Sequence, residues 1–483
     1  MADQETNLSQ EKAPKSRPIF CSEPESRDEF IQDAALERTI TLKCDIKLLP
    51  PLMILFVVTF IDRTNIANAK IEGMTTELKM KPNDYNMALW ILNIPYIVLA
   101  LPSNMLLKRG FVRPAVFLST QMFCWALCTI GLGLSKTFNG ILVCRFLMGC
   151  FEAGFVPGCA YFIGRYYKRA DFSVRYAFFF SAAVFAGAFG GLLAFAIRNM
   201  NGVGGYSGWR WIFIIEGLMT IVTTGIGLLC IPDYPQQSTF LKPEEKEYLL
   251  KMLEHDAGPS RPDHYNVQSR TIAYFGADEA ASSIVGFQPT ILKALGYSSA
   301  QAQVHTIPVY ITALGLLLTC SYCSGRLRHQ YGFLLFGSVL GIIGWAIELT
   351  IPLTSIGVRY FGMFAITSCA YIQMPILVVW ISNNMGGNAK VAFATGFMIG
   401  LGNCGNLVSS NDFITAENPR FRTGYGTGLA LTVTGILASS VMEVMLFVKN
   451  RRRSRGKEDR KLEEGGNVLG DLGDAHPRFR YML

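Results

Sequence analysis

Twelve apolar stretches, each about as long as a bilayer core is thick, constrain this chain more than any motif does. A helix needs about 20 mainly apolar residues to cross the hydrocarbon. Such stretches run over roughly 48–68, 86–106, 114–134, 140–163, 174–197 and 211–232. After a polar interval they resume over roughly 271–294, 303–324, 332–352, 359–381, 391–412 and 426–448. Helices are the open-chain solution in lipid, which offers no partner to a backbone N–H or C=O. The charges agree. Asp, Glu, Lys and Arg make up 17% of the 483 residues, against about 25% in soluble proteins. Residues 1–47, 233–270 and 449–483 hold 45 of these 80 charges, leaving 35 for the other 363 residues. That is too few to solvate a globular surface. A soluble enzyme, a disordered chain and a disulfide-stapled secreted domain are all excluded, and the 12 cysteines read as small apolar core residues.

The net charge of +8 does not point to nucleic acid, because the basic residues form no aromatic-interleaved face. They occur as short clusters between spans, as at Lys108, Arg109 and Arg113 or at Arg451, Arg452 and Arg453. An even span count puts both termini on one side. Placing them in the cytosol gives that side eighteen Lys and Arg residues against about ten opposite, as the positive-inside rule requires. The expected fold is an all-α membrane protein with twelve transmembrane helices in two pseudo-symmetric six-helix bundles. Its parts are a polar cytosolic tail at 1–47, a bundle at 48–232, a cytosolic loop at 233–270, a second bundle at 271–448 and a basic tail at 449–483. Within the loop, 242–254 reads as a short amphipathic helix. Small residues repeat every fourth position at Ala183, Gly187 and Gly191, and again at Gly396 and Gly400, a spacing that lets helices approach closely in lipid.

Ionised groups at mid-bilayer cost about 2.5–3.5 kcal/mol on insertion scales, so they are read as functional first. Asp62 and Arg63 lie well inside the first span. Neighbours on a helix point about 100° apart, so these two are not expected to pair with each other. In the fourth span Arg145 and Glu152 are seven residues apart and share a face, about 10 Å apart along the axis. Asn65, Gln373 and Asn403 are further intramembrane polar groups that either line a polar cavity or hydrogen-bond between helices. Cys320 and Cys323 form a lone C-x-x-C without the second pair that a zinc site needs. No phosphate loop or nucleophile elbow occurs. The expectation is therefore a non-enzyme with no cofactor and no metal, driven by a gradient.

These residues carry a family resemblance. Phe60-Ile61-Asp62-Arg63-Thr64-Asn65 in the first span, Arg145-Phe146-Leu147-Met148-Gly149 through Glu152-Ala153-Gly154 in the fourth, Gly208-Trp209-Arg210-Trp211 opening the sixth and Trp380-Ile381-Ser382-Asn383-Asn384 closing the tenth resemble the major facilitator superfamily. Within it the chain is similar to the fungal allantoate permease family of anion:cation symporters. The resemblance implies a central cavity opened alternately to each side. It implies proton coupling at Asp62 and Glu152, and a substrate anion held by Arg63 and Arg145, with Asn65, Gln373 and Asn403 as further substrate contacts. It also implies gating by the cytosolic turn residues Arg109, Arg326 and Arg328. The turn after the eighth span departs from the family, reading Ser324-Gly325-Arg326 where a carboxylate is usual. So does the seventh span, which carries Asp278, Glu279, Gln288 and Pro289 after a shortened loop. A gene-model error or a genuine deletion would each produce that.

The function expected is secondary active transport, as proton-coupled uptake of a small organic anion or a vitamin- or amino-acid-like nutrient. The alternatives are export of a secondary metabolite or toxin on the same fold, and a nutrient sensor that does not transport. The expected setting is a monomer in the plasma membrane, with the substrate, protons and the lipid bilayer as partners and no nucleic acid.

Overall fold

The computed structural model describes residues 33–81, 83–108, 112–257, 265–384, 388–414, 417–455 and 481. Its regular structure is helical. Among the described residues, ten helices are long and apolar enough to cross a membrane, including Ala34–Ile71, Pro114–Leu134 and Ile356–Asn383. Two more passages complete the twelve. Tyr265–Ala294 is the seventh span, unbroken over 30 residues but too polar to pass as apolar. The eleventh is split at Asn403 into Asn388–Gly402 and Cys404–Asp412. The polar interval between the halves carries a further helix, Pro243–Ala257, where the sequence reads an amphipathic one.

Local chemistry sets the helix ends. The Asp33 carboxylate caps the first helix by accepting from the N–H groups of Ala35 and Leu36 at 2.9 and 3.2 Å. Pro114 opens the third span, where its missing N–H costs nothing. Ser298 and Gln301 form a reciprocal capping box at the start of the eighth.

Close helix approach depends on residues without side chains. A Cβ on Gly149 would sit 2.0 Å from the Leu92 carbonyl oxygen, and one on Gly405 would sit 2.4 Å from that of Phe275. The first glycine lets the fourth span lie on the second; the other lets the eleventh lie on the seventh. The two small-residue repeats lie on the seam between the bundles. Gly187 and Gly191 of the fifth span face Tyr310 and Gln303 of the eighth, and Gly396 and Gly400 of the eleventh face Asn104 and Ala100 of the second.

Ion pairs tie the ends of the bundles. At the end where the first helix starts and the last one stops, Arg113 grips Asp233 through two hydrogen bonds of 2.8 and 2.7 Å. Lys43 reaches Glu245 of the central helix at 2.6 Å, and Lys168 reaches Glu37 at 2.5 Å. At the opposite end Glu77 accepts from Ser207, from Trp209 Nε1 at 2.6 Å and from Arg210 Nε at 3.0 Å. The Gly208-Trp209-Arg210 motif thus binds the loop after the first span to the start of the sixth. In the second bundle Arg359 and Glu348 pair at 2.7 Å, both buried.

Two predictions follow from these pairs. Removing one partner of a buried pair strands the other, which costs about 3–5 kcal/mol, whereas an apolar replacement of both is often neutral. Arg359→Leu is therefore expected to lower the unfolding midpoint of the purified protein sharply, and Arg359→Leu with Glu348→Leu to restore most of the loss. Partial burial opposes the Glu77 charge, but the hydrogen bonds from Ser207, Trp209 and Arg210 outweigh it and hold this carboxyl below its ordinary value. A carboxyl depressed in the folded state stabilises above its unfolded value, about 4.3 for Glu, and the contribution fades as pH falls through the folded value. Glu77→Gln should therefore be less stable than the parent at pH 7, and the gap should close in thermal melts run progressively below pH 4.

Candidate functional site

Between the bundles lies a cavity of about 100 Å³. The first span reaches it with Thr59, Arg63 and Ile66, at the spacing of one helix face. Asn93 and Tyr96 of the second span and Arg145 and Glu152 of the fourth complete that wall. The facing wall comes from Tyr274, Asp278 and Ser282 of the seventh span, Tyr371 of the tenth and Asn403, Asn406 and Ser410 of the eleventh.

The charges are held unequally. Arg63 Nη1 lies 3.6 Å from Glu152 Oε1, and Arg63 Nη2 donates to Asn93 Oδ1 at 3.2 Å. The guanidinium also sits 5.4 Å from the centre of the Tyr96 ring. Glu152 closes the helix Phe138–Glu152, just before the fourth span breaks at Ala153 and Gly154. Arg145 shares its face, as the seven-residue spacing predicts, and its Nε and Nη2 are buried without a hydrogen-bond partner. Where the first helix ends, Tyr85 donates to the Gly286 carbonyl at 3.3 Å, and Lys70 lies 3.9 Å from the Tyr85 ring centre. These contacts join the first, second and seventh spans beside the cavity, which Gly286 lines.

Of the residues singled out from sequence, the cavity gathers Arg63, Arg145, Glu152 and Asn403. Asp62, one residue before Arg63, is turned into the first bundle. Its Oδ2 accepts from Trp125 Nε1 at 3.2 Å and from Thr220 at 2.8 Å, and its Oδ1 is buried without a partner. Asn65 is buried beside Asn68. Gln373 donates to Ser338 at 2.7 Å inside the second bundle. Arg326 and Arg328 are exposed at the end of the eighth helix, with Arg328 in a left-handed conformation at φ 53°. Arg109 lies outside the described residues.

Two functional candidates emerge that sequence reasoning did not assign. Asp278, an unexplained charge in the seventh span, opens onto the cavity. Its neighbour Glu279 turns the other way and accepts from Ser283 at 2.7 Å. Glu216 of the sixth span is buried with both carboxyl oxygens unpartnered, one turn before Thr220 and hence close to Asp62. A lone carboxylate inside an apolar run was its signal, the same one that marks Glu152.

The sequence matches the Major Facilitator Superfamily over residues 52–442. The chain belongs to that superfamily. It is 30% identical over 480 residues to the MFS-type transporter cnsO of Penicillium expansum, covering 94% of this chain and 92% of that one. It is 27% identical over 462 residues to the high-affinity nicotinic acid transporter of Saccharomyces cerevisiae, covering 92% and 85%. The proton:xylose symporter XylE superposes with a TM-score of 0.65 at 16% identity, covering 84% of this chain and 95% of that one, a likeness of fold alone. The chain is thus a multi-pass membrane transporter of a small molecule rather than an enzyme.

Placement around the cavity is directly testable. In a cysteine-free background, Ser282→Cys and Asn403→Cys should react with a small charged thiol reagent supplied in water, whereas Gln373→Cys and Thr220→Cys should stay unmodified. Equal labelling of all four would mean that the cavity boundary is wrong.

Proposed function

We propose that the chain carries a small carboxylate-bearing nutrient inward together with a proton, and that Glu152 is the group that couples the two. The supporting observation is the Arg63–Glu152 pair at 3.6 Å within the central cavity. An ionised Glu152 satisfies Arg63 and competes with any anion for it. Protonating Glu152 releases the guanidinium, which can then take a substrate carboxylate through the paired donors that Arg offers. Losing the proton on the other side restores the pair and expels the anion. One proton therefore travels with each carboxylate, with no nucleotide involved.

Arg145, with unused donors on the same wall, is the second carboxylate ligand in this reading, and Asn403 a polar contact from the facing bundle. Asp62 and Glu216 form a carboxyl pair behind the wall, and Asp62 serves there as a second proton site. Asn65 accepts from the Asn68 side chain one turn on, at 3.4 Å. Gln373 acts through its bond to Ser338, shaping the tenth span that bears Tyr371. Arg109, Arg326 and Arg328 gate the end that carries the termini. The likeness to a yeast nicotinic acid transporter lends weight to a carboxylic acid substrate, and the aromatic lining suits a ring. The chain works as a monomer in the plasma membrane, both termini in the cytosol.

This mechanism separates coupling from binding. Uptake by cells expressing the protein should rise as external pH falls. Glu152→Gln, which mimics the protonated state, should abolish concentrative, pH-driven uptake while leaving substrate exchange across the membrane intact. Pumping that stays pH-dependent in Glu152→Gln would refute the assignment of the coupling site.

A further inference from the structure

A charge census of the cavity says more about the substrate. Among the described residues that line it, the acidic and basic side chains are Arg63, Arg145, Glu152 and Asp278. Arg63 and Glu152 answer each other until Glu152 takes up a proton. One cation and one anion are left over, and they stand on different bundles.

Arg145 has a relative exposure of 2% and two nitrogens without a partner. Asp278 is 4% exposed, and its Oδ2 is buried without a partner. The donor directed at Asp278 is the backbone N–H of Asn406, beside the break in the eleventh span, and that N–H already bonds the Asn403 carbonyl at 3.1 Å. Asp278 feels the charge of Arg63 but makes no ion pair with it within 4.0 Å. A purely structural counterion would be expected to close that contact. Polar groups inside a protein are normally satisfied, so a carboxylate left open at a cavity wall is a place for a ligand donor.

A simple anion answers the arginines but leaves Asp278 open. It would add negative charge opposite Asp278 in surroundings where charges act strongly on one another. A solute bearing both charges fits both open groups, and the rings of Tyr96, Tyr274 and Tyr371 around the cavity favour a cation further. We infer that the substrate is zwitterionic, with its carboxylate held by Arg63 and Arg145 on the first bundle and its cationic group by Asp278 on the second. This rests on the reading of the cavity as the transport site. It also makes the substrate a bridge between the bundles, so that only a solute with both charges draws both walls together.

The test uses matched pairs that differ in the positive charge: phenylalanine against 3-phenylpropionate, leucine against 4-methylpentanoate, and N-methylnicotinate against nicotinate. Binding to the purified full-length protein is read by thermal stabilisation, and uptake by expressing cells is read directly. The zwitterion of at least one pair should bind about tenfold or more tightly than its anion, the loss expected for one charged hydrogen bond. Asp278→Asn should erase that preference and leave the matched anion unchanged or tighter, while Asp278→Glu should keep it. An equal or stronger response to the anions in the parent protein overturns the proposal, with no variant needed. So does a preference that survives Asp278→Asn in protein of parental melting temperature. The carrier reading fails on a different result: pumping of either class that ignores both pH and Glu152.

Discussion

An ionised side chain in the middle of a bilayer has to find a partner, water or a ligand, and the twelve helices are arranged around that requirement. Three arginines show the options. Arg359 is paired with Glu348 and buried, a bond that holds two helices together. Arg210 sits at a membrane end and is shared between Glu77 and the carbonyls of Gly133 and Ser135. Arg63 has a partner at 3.6 Å, longer than either, and a cavity beside it. The loosest pair is the one within reach of a solute. A transport site needs charges that are held well enough to survive burial and weakly enough to be exchanged.

Much of this was legible in the sequence. Helices are dictated by apolar length, and the split into halves by the polar interval at 233–270. Helical geometry alone separated Asp62 from Arg63 and joined Arg145 to Glu152, and the structure has both features. The sequence did not reveal which intramembrane polar groups face the cavity, because an asparagine or glutamine inside a span looks the same whether it meets a neighbour or a ligand. Gln373 meets Ser338 and Asn403 reaches the cavity, a difference set by helix rotation. The seventh span was hardest to read for the same reason. Its polarity looks like a defect until Asp278 and Glu279 are seen on separate faces.

The first and seventh spans solve one problem in the same way. Each carries two adjacent charged residues, and in each the turn of the helix sends one to the cavity and the other into its own bundle. In the first span the cation faces the cavity and Asp62 turns inward to Trp125 and Thr220. In the seventh the carboxylate Asp278 faces the cavity and Glu279 turns inward to Ser283. The inward member fastens the helix, so that the outward member is presented from a fixed base.

The seam between the bundles has a consequence for how this chamber is built. The fifth span lies on the eighth and the eleventh on the second, each through a run of small residues. Advancing every span by six converts one contact into the other. The seam therefore has the form of an isologous interface, the kind made by two identical subunits about a two-fold axis, closed here within a single chain. A chamber on such an axis would have matching walls if the halves were alike, with every charge faced by its own copy. The opposition of Arg63 and Arg145 to Asp278 thus gives the chamber a polarity that two identical halves could not possess.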